Sequence, residues 1–191
     1  MNCEISVPRS NGKNPVLHGD LMVRARDARL ACKRGGRVLD VGTGPCACMA
    51  RVLARCHLHV TAIDYASSAV RFAQEVATQR SLRRWLNVQQ VDAARMPFDD
   101  ASYAAVVAFD ALGHSSVPEL ILAEMFRVCA PNGIVLITEY NRRGRKATRH
   151  LNFGFENRLA KLLRRHCSLC QRIEQPYHVT FVCRKNSERE I

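Results

Sequence analysis

The chain has 191 residues, of which 47% are hydrophobic and 24% are charged, a composition that excludes a disordered chain and suits one globular domain. Its 29 Lys and Arg outnumber its 17 Asp and Glu and give a net charge of +12, so the surface favours anionic partners, with a merely arginine-rich surface as the alternative. The apolar runs are too short to span a membrane, and we expect no membrane partner. Met1 to Gly12 hold no apolar leader, and we expect no signal peptide.

The nine cysteines do not form the framework of a small secreted disulfide protein. We therefore expect mostly free thiols in a reducing intracellular compartment, the cytoplasm or alternatively the nucleus. Five candidate zinc ligands lie close together near the C-terminus: His166, Cys167, Cys170, His178 and Cys183. Because a zinc site needs four convergent ligands and the chain has no second Cys-x-x-Cys pair, we expect no metal site.

The chain divides into a short tail, one domain and a short end. Residues 1–15 contain two prolines, one glycine and few apolar groups, which predicts a flexible tail. The domain then spans residues 16–185 and opens with a helix predicted over 16–32 from its apolar spacing. Residues 186–191 are predicted to fray.

Strand and helix patterns alternate through the domain. Continuous apolar runs predict strands over 37–41, 59–64, 87–92, 103–110 and 134–139. Apolar spacing predicts helices through Met49 to Cys56, through Val70 to Ala77, from a capping box at Ser116 and Glu119 to Cys129, and through Phe155 to Leu163. A basic loop over 141–152 and a hairpin of 170–174 and 178–184 complete the pattern. It indicates a doubly wound α/β fold with a mostly parallel, seven-stranded Rossmann-like sheet, an antiparallel edge hairpin and helices on both faces.

Polar groups stand where four of the predicted strands end. Gly42-Thr43-Gly44 forms a glycine turn after the first strand, and later strands end in Asp64, Asp92 and Asp110. Ligands of open α/β sheets bind beyond the carboxyl ends of the strands, and glycines let the backbone approach a ligand closely. This edge of the sheet therefore predicts a nucleoside pocket. The alternative is that each acid caps the turn or helix that follows it.

The ordered series of segments resembles the motifs of class I S-adenosylmethionine-dependent methyltransferases. The matching segments are Val38 to Gly44, Ala62 to Ala66, Val91 to Tyr103, and Glu124 to Gly133. The resemblance covers residues 20–185 and is nearest to the small type 11, ubiquinone- and menaquinone-methyltransferase-like group. The glycine turn alone would also fit a nicotinamide dinucleotide, but the later segments favour S-adenosylmethionine.

The resemblance assigns roles to the matched residues. It implies that Asp40 orients the cofactor's ammonium group through water, that Asp64 binds the ribose hydroxyls and that Asp92 accepts from the adenine amino group. Cys46 stands where the family usually has a third glycine, which implies an altered methionine-end pocket or weaker binding. The full implied cofactor set is Asp40, Gly42, Thr43, Gly44, Asp64, Tyr65, Asp92, Ala93 and Phe109.

Residues after the fourth and fifth strands are the candidates for catalysis and substrate binding. Asp110 and His114 are candidate general bases, with an idle loop position as the alternative for His114. The basic loop should overhang the pocket mouth and could grip phosphates; a solvated loop or an import-like basic run are the alternatives. Its candidate substrate-binding residues are Arg142, Arg143, Arg145 and Lys146.

Two functions follow from these observations. The first is a methyltransferase that acts on an anionic substrate, either RNA or a small phosphorylated or carboxylated metabolite. The second is a non-catalytic S-adenosylmethionine-binding scaffold or partner subunit, because the fold alone does not require turnover and no inserted substrate domain is present. The motifs of nucleic-acid amino methylation and of cysteine-based cytosine methylation are absent after the fourth strand, so the residues do not identify the substrate.

Overall fold

The computed structural model of the protein describes residues 32, 36–79, 82–148, 154–167 and 169–185. The predicted tail, the frayed end and all of the first predicted helix except Cys32 lie outside the described residues. Within the described ranges, every helix is too short or too polar to cross a bilayer.

Seven strands form one mixed sheet in the order β3-β2-β1-β4-β5-β7-β6. The first five are mutually parallel in their pairings, while β7 runs antiparallel to β5 and to β6. This arrangement confirms the predicted fold class. The strands are β1 (Arg37–Val41), β2 (His59–Asp64), β3 (Leu86–Gln90), β4 (Tyr103–Phe109), β5 (Cys129–Tyr140), β6 (Cys170–Glu174) and β7 (His178–Arg184).

Helices cover both faces of this sheet. They are α1 (Cys48–Arg55), α2 (Ser67–Gln79), α3 (Pro118–Val128), α4 (Arg142–Thr148) and α5 (Phe155–Leu163), with a short 3-10 helix at Leu112–His114. Leu53 of α1 and Val70 of α2 belong to the core on one face, and Leu122 of α3 and Leu159 of α5 belong to the core on the other. The central strands are therefore buried on both sides, which explains their continuous apolar sequences.

Three strand ends differ from the prediction. β3 ends at Gln90 instead of reaching Asp92, and β4 ends at Phe109 because Asp110 has a φ of 48°, outside the extended region. β5 begins at Cys129, which pairs with Tyr103 ahead of a register shift. Residues 131–133, which the predicted strand over 134–139 left outside, therefore lie inside the strand as an irregularity.

Helix α4 replaces most of the basic loop predicted over 141–152. The Oδ1 atom of Asn141 accepts a hydrogen bond from the Gly144 N–H at 2.9 Å, and the Thr148 hydroxyl donates to the Gly144 carbonyl at 2.9 Å. Asparagine is among the best residues at the start of a helix because its side chain satisfies such a free N–H. The basic composition concealed this signal. Residues 149–152 of the predicted loop lie outside the described residues.

The start of α3 also differs from the prediction. The capping box of Ser116 and Glu119 does not form; Val117 precedes the helix, without a side-chain cap, and Pro118 is its first residue. The hydroxyl oxygen of Ser115 instead accepts a hydrogen bond from the Val117 N–H at 3.0 Å. This serine therefore organises the turn that leads into the helix.

The expectation of free thiols needs one correction. Cys170 and Cys183 face each other across the β6–β7 pair, with their Cα atoms 4.1 Å apart, and are joined by a disulfide. The hairpin register brings these two positions together, although they are distant in sequence. The other described cysteines are free: Cys32, Cys46, Cys48, Cys56, Cys129 and Cys167.

Candidate functional site

A pocket of about 530 Å³ lies at the carboxyl edge of the parallel strands. Its wall combines the turn after β1 with residues that end or follow β2, β3 and β4. The predicted edge of the sheet is thus the edge that carries the cavity. The predicted site residues that line it are Gly42, Gly44, Asp64, Tyr65, Asp92, Ala93, Asp110 and His114.

The two glycines of the first turn, Gly42 and Gly44, have different structural roles. Both have positive φ, 70° at Gly42 and 64° at Gly44, a region that side chains rarely allow. A Cβ on Gly42 would lie 2.5 Å from the Cβ of Ala111, so this glycine permits close packing of two loops. A Cβ on Gly44 would meet no protein atom within 4 Å. Gly44 therefore presents open backbone to the pocket, as close approach of a ligand requires.

The replacement of the family's third glycine is compatible with this turn. Cys46 is exposed and is not among the described residues with positive φ, so its side chain fits without backbone strain. The next residue, Ala47, takes a left-handed conformation with φ of 43° instead. Cys46 does not line the pocket.

Asp64 connects the end of β2 to the glycine turn. Its Oδ2 accepts a hydrogen bond from the Gly44 N–H at 2.9 Å, and its Oδ1 accepts from the Ala66 N–H at 3.0 Å. Each carboxylate oxygen has a second lone pair, so Asp64 can fix the turn and still accept from a ligand in the pocket. The capping role and the binding role considered from the sequence are therefore compatible.

Asp40 lies behind the pocket instead of in its wall. Its carboxyl is 2% exposed and accepts a hydrogen bond from the Thr43 hydroxyl at 2.7 Å. Burial raises the pKa of Asp40 to about 6, although Thr43 and the Ala50 N–H lower it. Asp40 and Thr43 are not among the lining residues, so the structure shows them bracing the turn from inside.

The raised pKa of Asp40 predicts a pH-dependent stability. The folded state holds the proton of the Asp40 carboxyl more tightly than the unfolded state does. The protonated carboxyl therefore stabilises the fold fully below pH 4, and this stabilisation is lost as pH rises through about 6. Between pH 4.5 and 7 we expect the wild type to lose about 2 kcal/mol more unfolding free energy than Asp40→Asn. Urea unfolding at both pH values measures this, with the exposed Asp99→Asn as the control. Equal pH slopes for the wild type and Asp40→Asn would contradict the prediction.

The segment after β3 supplies the far side of the pocket. Asp92 accepts a hydrogen bond from the Ala94 N–H through Oδ1 at 2.9 Å and is otherwise exposed. The side chain of Gln90 donates to the Tyr65 carbonyl at 3.1 Å and ties the ends of β2 and β3 together. Tyr65 itself is 76% exposed at the pocket edge. Its ring is therefore available to cover a flat ligand.

Asp110 and His114 form the wall next to β4. Asp110 has a φ of 48°, and its N–H donates to the Thr138 carbonyl of β5 at 2.7 Å. Its Oδ2 lies 3.6 Å from Nε2 of His114. Strained backbone at a pocket wall is typical of functional positions. The arrangement is suited to passing a proton from a bound ligand to the imidazole of His114 and on to the carboxylate of Asp110.

A buried ion pair that the sequence analysis missed holds this wall in place. Oε1 of Glu139 accepts from the N–H groups of Leu112 and Gly113 at 3.0 and 3.2 Å, and Oε2 lies 3.3 Å from Nη2 of Arg145. Neither Glu139 nor Arg145 is more than 1% exposed. Burial, together with the nearby charge of Asp110, raises the pKa of Glu139 to about 8. Glu139 therefore fixes the 3-10 helix that carries His114.

Two groups of predicted site residues lie outside the pocket wall. Phe109 packs against the core and against the ring of His178, with 5.3 Å between ring centroids, because the backbone turns only at the following residue. Arg145 points inward to Glu139, whereas the neighbouring cations Arg142, Arg143 and Lys146 are exposed on α4. The prediction of one basic surface loop is thus corrected to a helix with one buried arginine.

Further pocket residues come from the loop between β4 and α3 and from α3 itself. They lie after Asp110 in the chain, a position that could have identified them once the 3-10 helix was recognised, and they are Ala111, Leu112, Ser115, Ser116, Val117 and Ile121. The described pocket wall contains three carboxylates and lacks both Lys and Arg. In a chain of net charge +12, this wall selects a cationic or neutral ligand over an anionic one.

Comparison with known proteins agrees with this geometry. Residues 39–137 match the family described as methyltransferase domain, a segment that contains β2 to β4 and all of the residues that line the pocket. The chain belongs to the methyltransferase domain family. The part of the chain beyond this match includes α4, α5 and the β6–β7 hairpin.

Two curated relatives and one solved structure illustrate the family. The chain is 32% identical over 117 residues to a phosphatidylethanolamine N-methyltransferase from Cereibacter sphaeroides, which is 61% of this chain and 57% of that protein. It is 31% identical over 138 residues to the demethylmenaquinone methyltransferase of Thermus thermophilus, 70% of this chain and 61% of that protein. It therefore spans less than two thirds of either relative. A structure from Methanococcus maripaludis, whose description proposes an S-adenosylmethionine-dependent methyltransferase, aligns with a TM-score of 0.77 at 16% identity, covering 92% and 90% of the two chains.

The methyltransferase family and fold imply S-adenosylmethionine as the cofactor, and the pocket fits it. The open backbone at Gly44 and the remaining lone pairs of Asp64 suit a nucleoside with ribose hydroxyls. The acidic wall suits the positive sulfonium and ammonium groups. A glycine turn and an acid at the end of the second strand would also suit a nicotinamide dinucleotide, whose pyrophosphate binds backbone N–H groups at a helix start. The match to the methyltransferase domain family therefore decides between the two cofactors that the glycine turn left open.

Proposed function

We propose that the chain is an S-adenosylmethionine-dependent methyltransferase whose acceptor carries an anionic group, as RNA or a small phosphorylated or carboxylated metabolite does. The observation that supports this proposal best is the division of charge at one edge of the sheet. An acidic pocket wall lies beside a helix with three exposed cations. The reacting atom would enter the acidic pocket, while the anionic group would stay outside on the helix.

The pocket residues suit methyl transfer. S-adenosylmethionine, when bound, supplies a methyl group that is already activated. The residues of this chain must then align the acceptor, exclude water and remove a proton where the acceptor arrives protonated. His114 and Asp110 are placed to take that proton, and Glu139 holds their segment through two backbone hydrogen bonds.

Helix α4 supports the anionic part of the proposal. It begins directly after Asn141, the residue that follows β5, so it stands at the same sheet edge as the pocket. The Nη2 atom of its buried Arg145 lies 3.0 Å from the position that a Cβ on Gly113 would take. Helix α4 therefore packs against the 3-10 helix beside the pocket. Cationic side chains on a surface bind phosphates with strong salt dependence. The name of the relative from Cereibacter sphaeroides also specifies a phosphate-bearing acceptor.

A kinetic comparison of two triple variants tests this proposal. Arg142→Ala/Arg143→Ala/Lys146→Ala should raise KM for an anionic acceptor about tenfold and weaken its salt dependence, since each surface charge contributes modestly. Affinity for S-adenosylhomocysteine should not change. The acceptor class is identified by transfer of a labelled methyl group from S-adenosylmethionine. The acceptors compared are RNA, phosphorylated metabolites and neutral metabolites.

The matched control removes three exposed cations from α5 and the turn after it, namely Lys161, Arg164 and Arg165. This variant has the same net charge as the α4 variant, so a general effect of charge would appear in both. Equal KM values for the two triple variants, or transfer to neutral acceptors alone, would contradict an anionic acceptor bound on α4.

A further inference from the structure

Three cysteines converge at the end of the molecule opposite the pocket. Cys170 of β6 and Cys183 of β7 face each other, and Cys167 follows α5. Their Sγ atoms all lie within 4.8 Å of one another. Cys183 pairs with Val135 near the start of β5, whereas the pocket lies beyond the carboxyl ends of the parallel strands. This cluster is therefore separate from the methyltransferase site.

We propose that Cys167, Cys170 and Cys183, in their reduced form, bind one thiophilic d10 metal ion, Zn²⁺ or Cu⁺. Three thiolates on one ion at about 2.3 Å would be separated from one another by roughly 3.8 Å, which small movements of these side chains allow. Sulfur donors without oxygen donors select such soft ions. The candidate histidines from the sequence, His166 and His178, are not part of the convergent group.

The third sulfur distinguishes a metal site from a disulfide. The Cys167 thiol donates to the Leu163 carbonyl at 3.4 Å and takes no part in the Cys170–Cys183 bond. One metal ion would instead use all three sulfurs and link the end of α5 to the β6–β7 hairpin.

Burial and charge at the cluster are compatible with an ion. Cys183 is fully buried and Cys167 is 8% exposed, while Cys170 is partly exposed and gives an entry path. Two exposed arginines, Arg165 and Arg184, lie within two residues of the cluster cysteines in sequence. Water can occupy a fourth position on the open side.

The chemistry of loading balances in two steps. A phosphine reductant supplies two electrons to the Cys170–Cys183 bond and is oxidised to the phosphine oxide with oxygen from water, whose two protons complete the two thiols. The ion then forms three metal–sulfur bonds and displaces three thiol protons to solvent. No residue of the methyltransferase pocket takes part.

Metal titration of the full chain tests the proposal. The protein is reduced with a phosphine, freed of it without oxygen, and titrated with Zn²⁺ against a chromophoric chelator and, separately, with Cu⁺ against a Cu⁺ chelator. We expect one ion per chain and an affinity at least 100-fold lower in Cys167→Ala. Cys46→Ala, which removes an exposed cysteine outside the cluster, should bind as the wild type does. The two titrations show which of the two ions the cluster holds at one per chain.

Titration with S-adenosylhomocysteine shows that each variant is folded. This readout also separates the two proposals, because loss of metal binding with intact S-adenosylhomocysteine binding concerns the cluster alone. Equal metal affinity in wild type and Cys167→Ala would overturn the metal site. So would a Cys170–Cys183 bond that mass spectrometry still finds intact after phosphine treatment of the folded protein.

Discussion

Replacement of Asp64 with alanine should lower the affinity for S-adenosylhomocysteine by about 100-fold. The carboxylate lines the pocket and holds the Gly44 N–H at 2.9 Å, so the variant loses the direct contacts and also releases the turn. Hydrogen bonds to a charged group contribute about 1.5–3 kcal/mol each, and about 2.8 kcal/mol corresponds to 100-fold. Calorimetric titration of the purified protein measures this change.

Two further variants make the Asp64 result interpretable. Asp64→Asn keeps the shape and one acceptor oxygen, and should lose about tenfold in affinity. Asp99→Ala removes an exposed carboxylate outside the pocket wall and should bind as the wild type does. If Asp64→Ala bound S-adenosylhomocysteine as tightly as Asp99→Ala, the cofactor could not occupy this pocket in the way that we infer.

Replacement of Arg145 with alanine should destabilise the fold by about 3 kcal/mol at pH 9. The guanidinium is 1% exposed and faces the carboxylate of Glu139, which is fully buried. Removing one partner of a buried pair typically costs about 3–5 kcal/mol, because the other charge remains without compensation. We expect the low end, since Glu139 can escape by taking a proton. Urea unfolding measures the difference.

The pH dependence of this loss follows from the pKa of Glu139. That pKa is about 8 with Arg145 present, and it should rise further without the guanidinium, which lowers it. At pH 6 Glu139 is protonated with or without Arg145, so the loss should be smaller than at pH 9. Lys146→Ala, an exposed neighbour on the same helix, should change the unfolding free energy by about 0.5 kcal/mol or less. A pH-independent loss for Arg145→Ala would show that the ion pair does not cause it.

The sheet and the pocket edge were predictable because their signals are local. β2 has the bounds that its apolar run predicts, and the strands that lie buried between two helical layers have few polar residues. Glycines and acids at the strand ends then mark the ligand edge, since parallel strands all end on the same side. The pocket wall contains Asp64, Asp92 and Asp110 for this reason.

The buried network behind the pocket was not predictable, because it depends on contacts between distant segments. Arg145 stands in a run of cations with the same composition as its neighbours, and nothing local distinguishes the one that turns inward. The helix that starts at Asn141 brings Arg145 to Glu139. The pairing of β5 with β4 brings Glu139 to the N–H of Gly113. Nothing local likewise indicates that the carboxyl of Asp40 is buried against Thr43 inside the turn.

The position of β7 between β5 and β6 has a consequence for how the sheet is completed during synthesis. β6 leaves the ribosome before β7, yet its ladder partner in the described sheet is β7. Until the hairpin forms, the apolar residues Ile134–Ile137 of β5 present an unpaired edge, and such edges invite association with other chains. The hairpin should therefore dock as a preformed unit, and a nascent chain that stops after α5 should need a chaperone to remain monomeric.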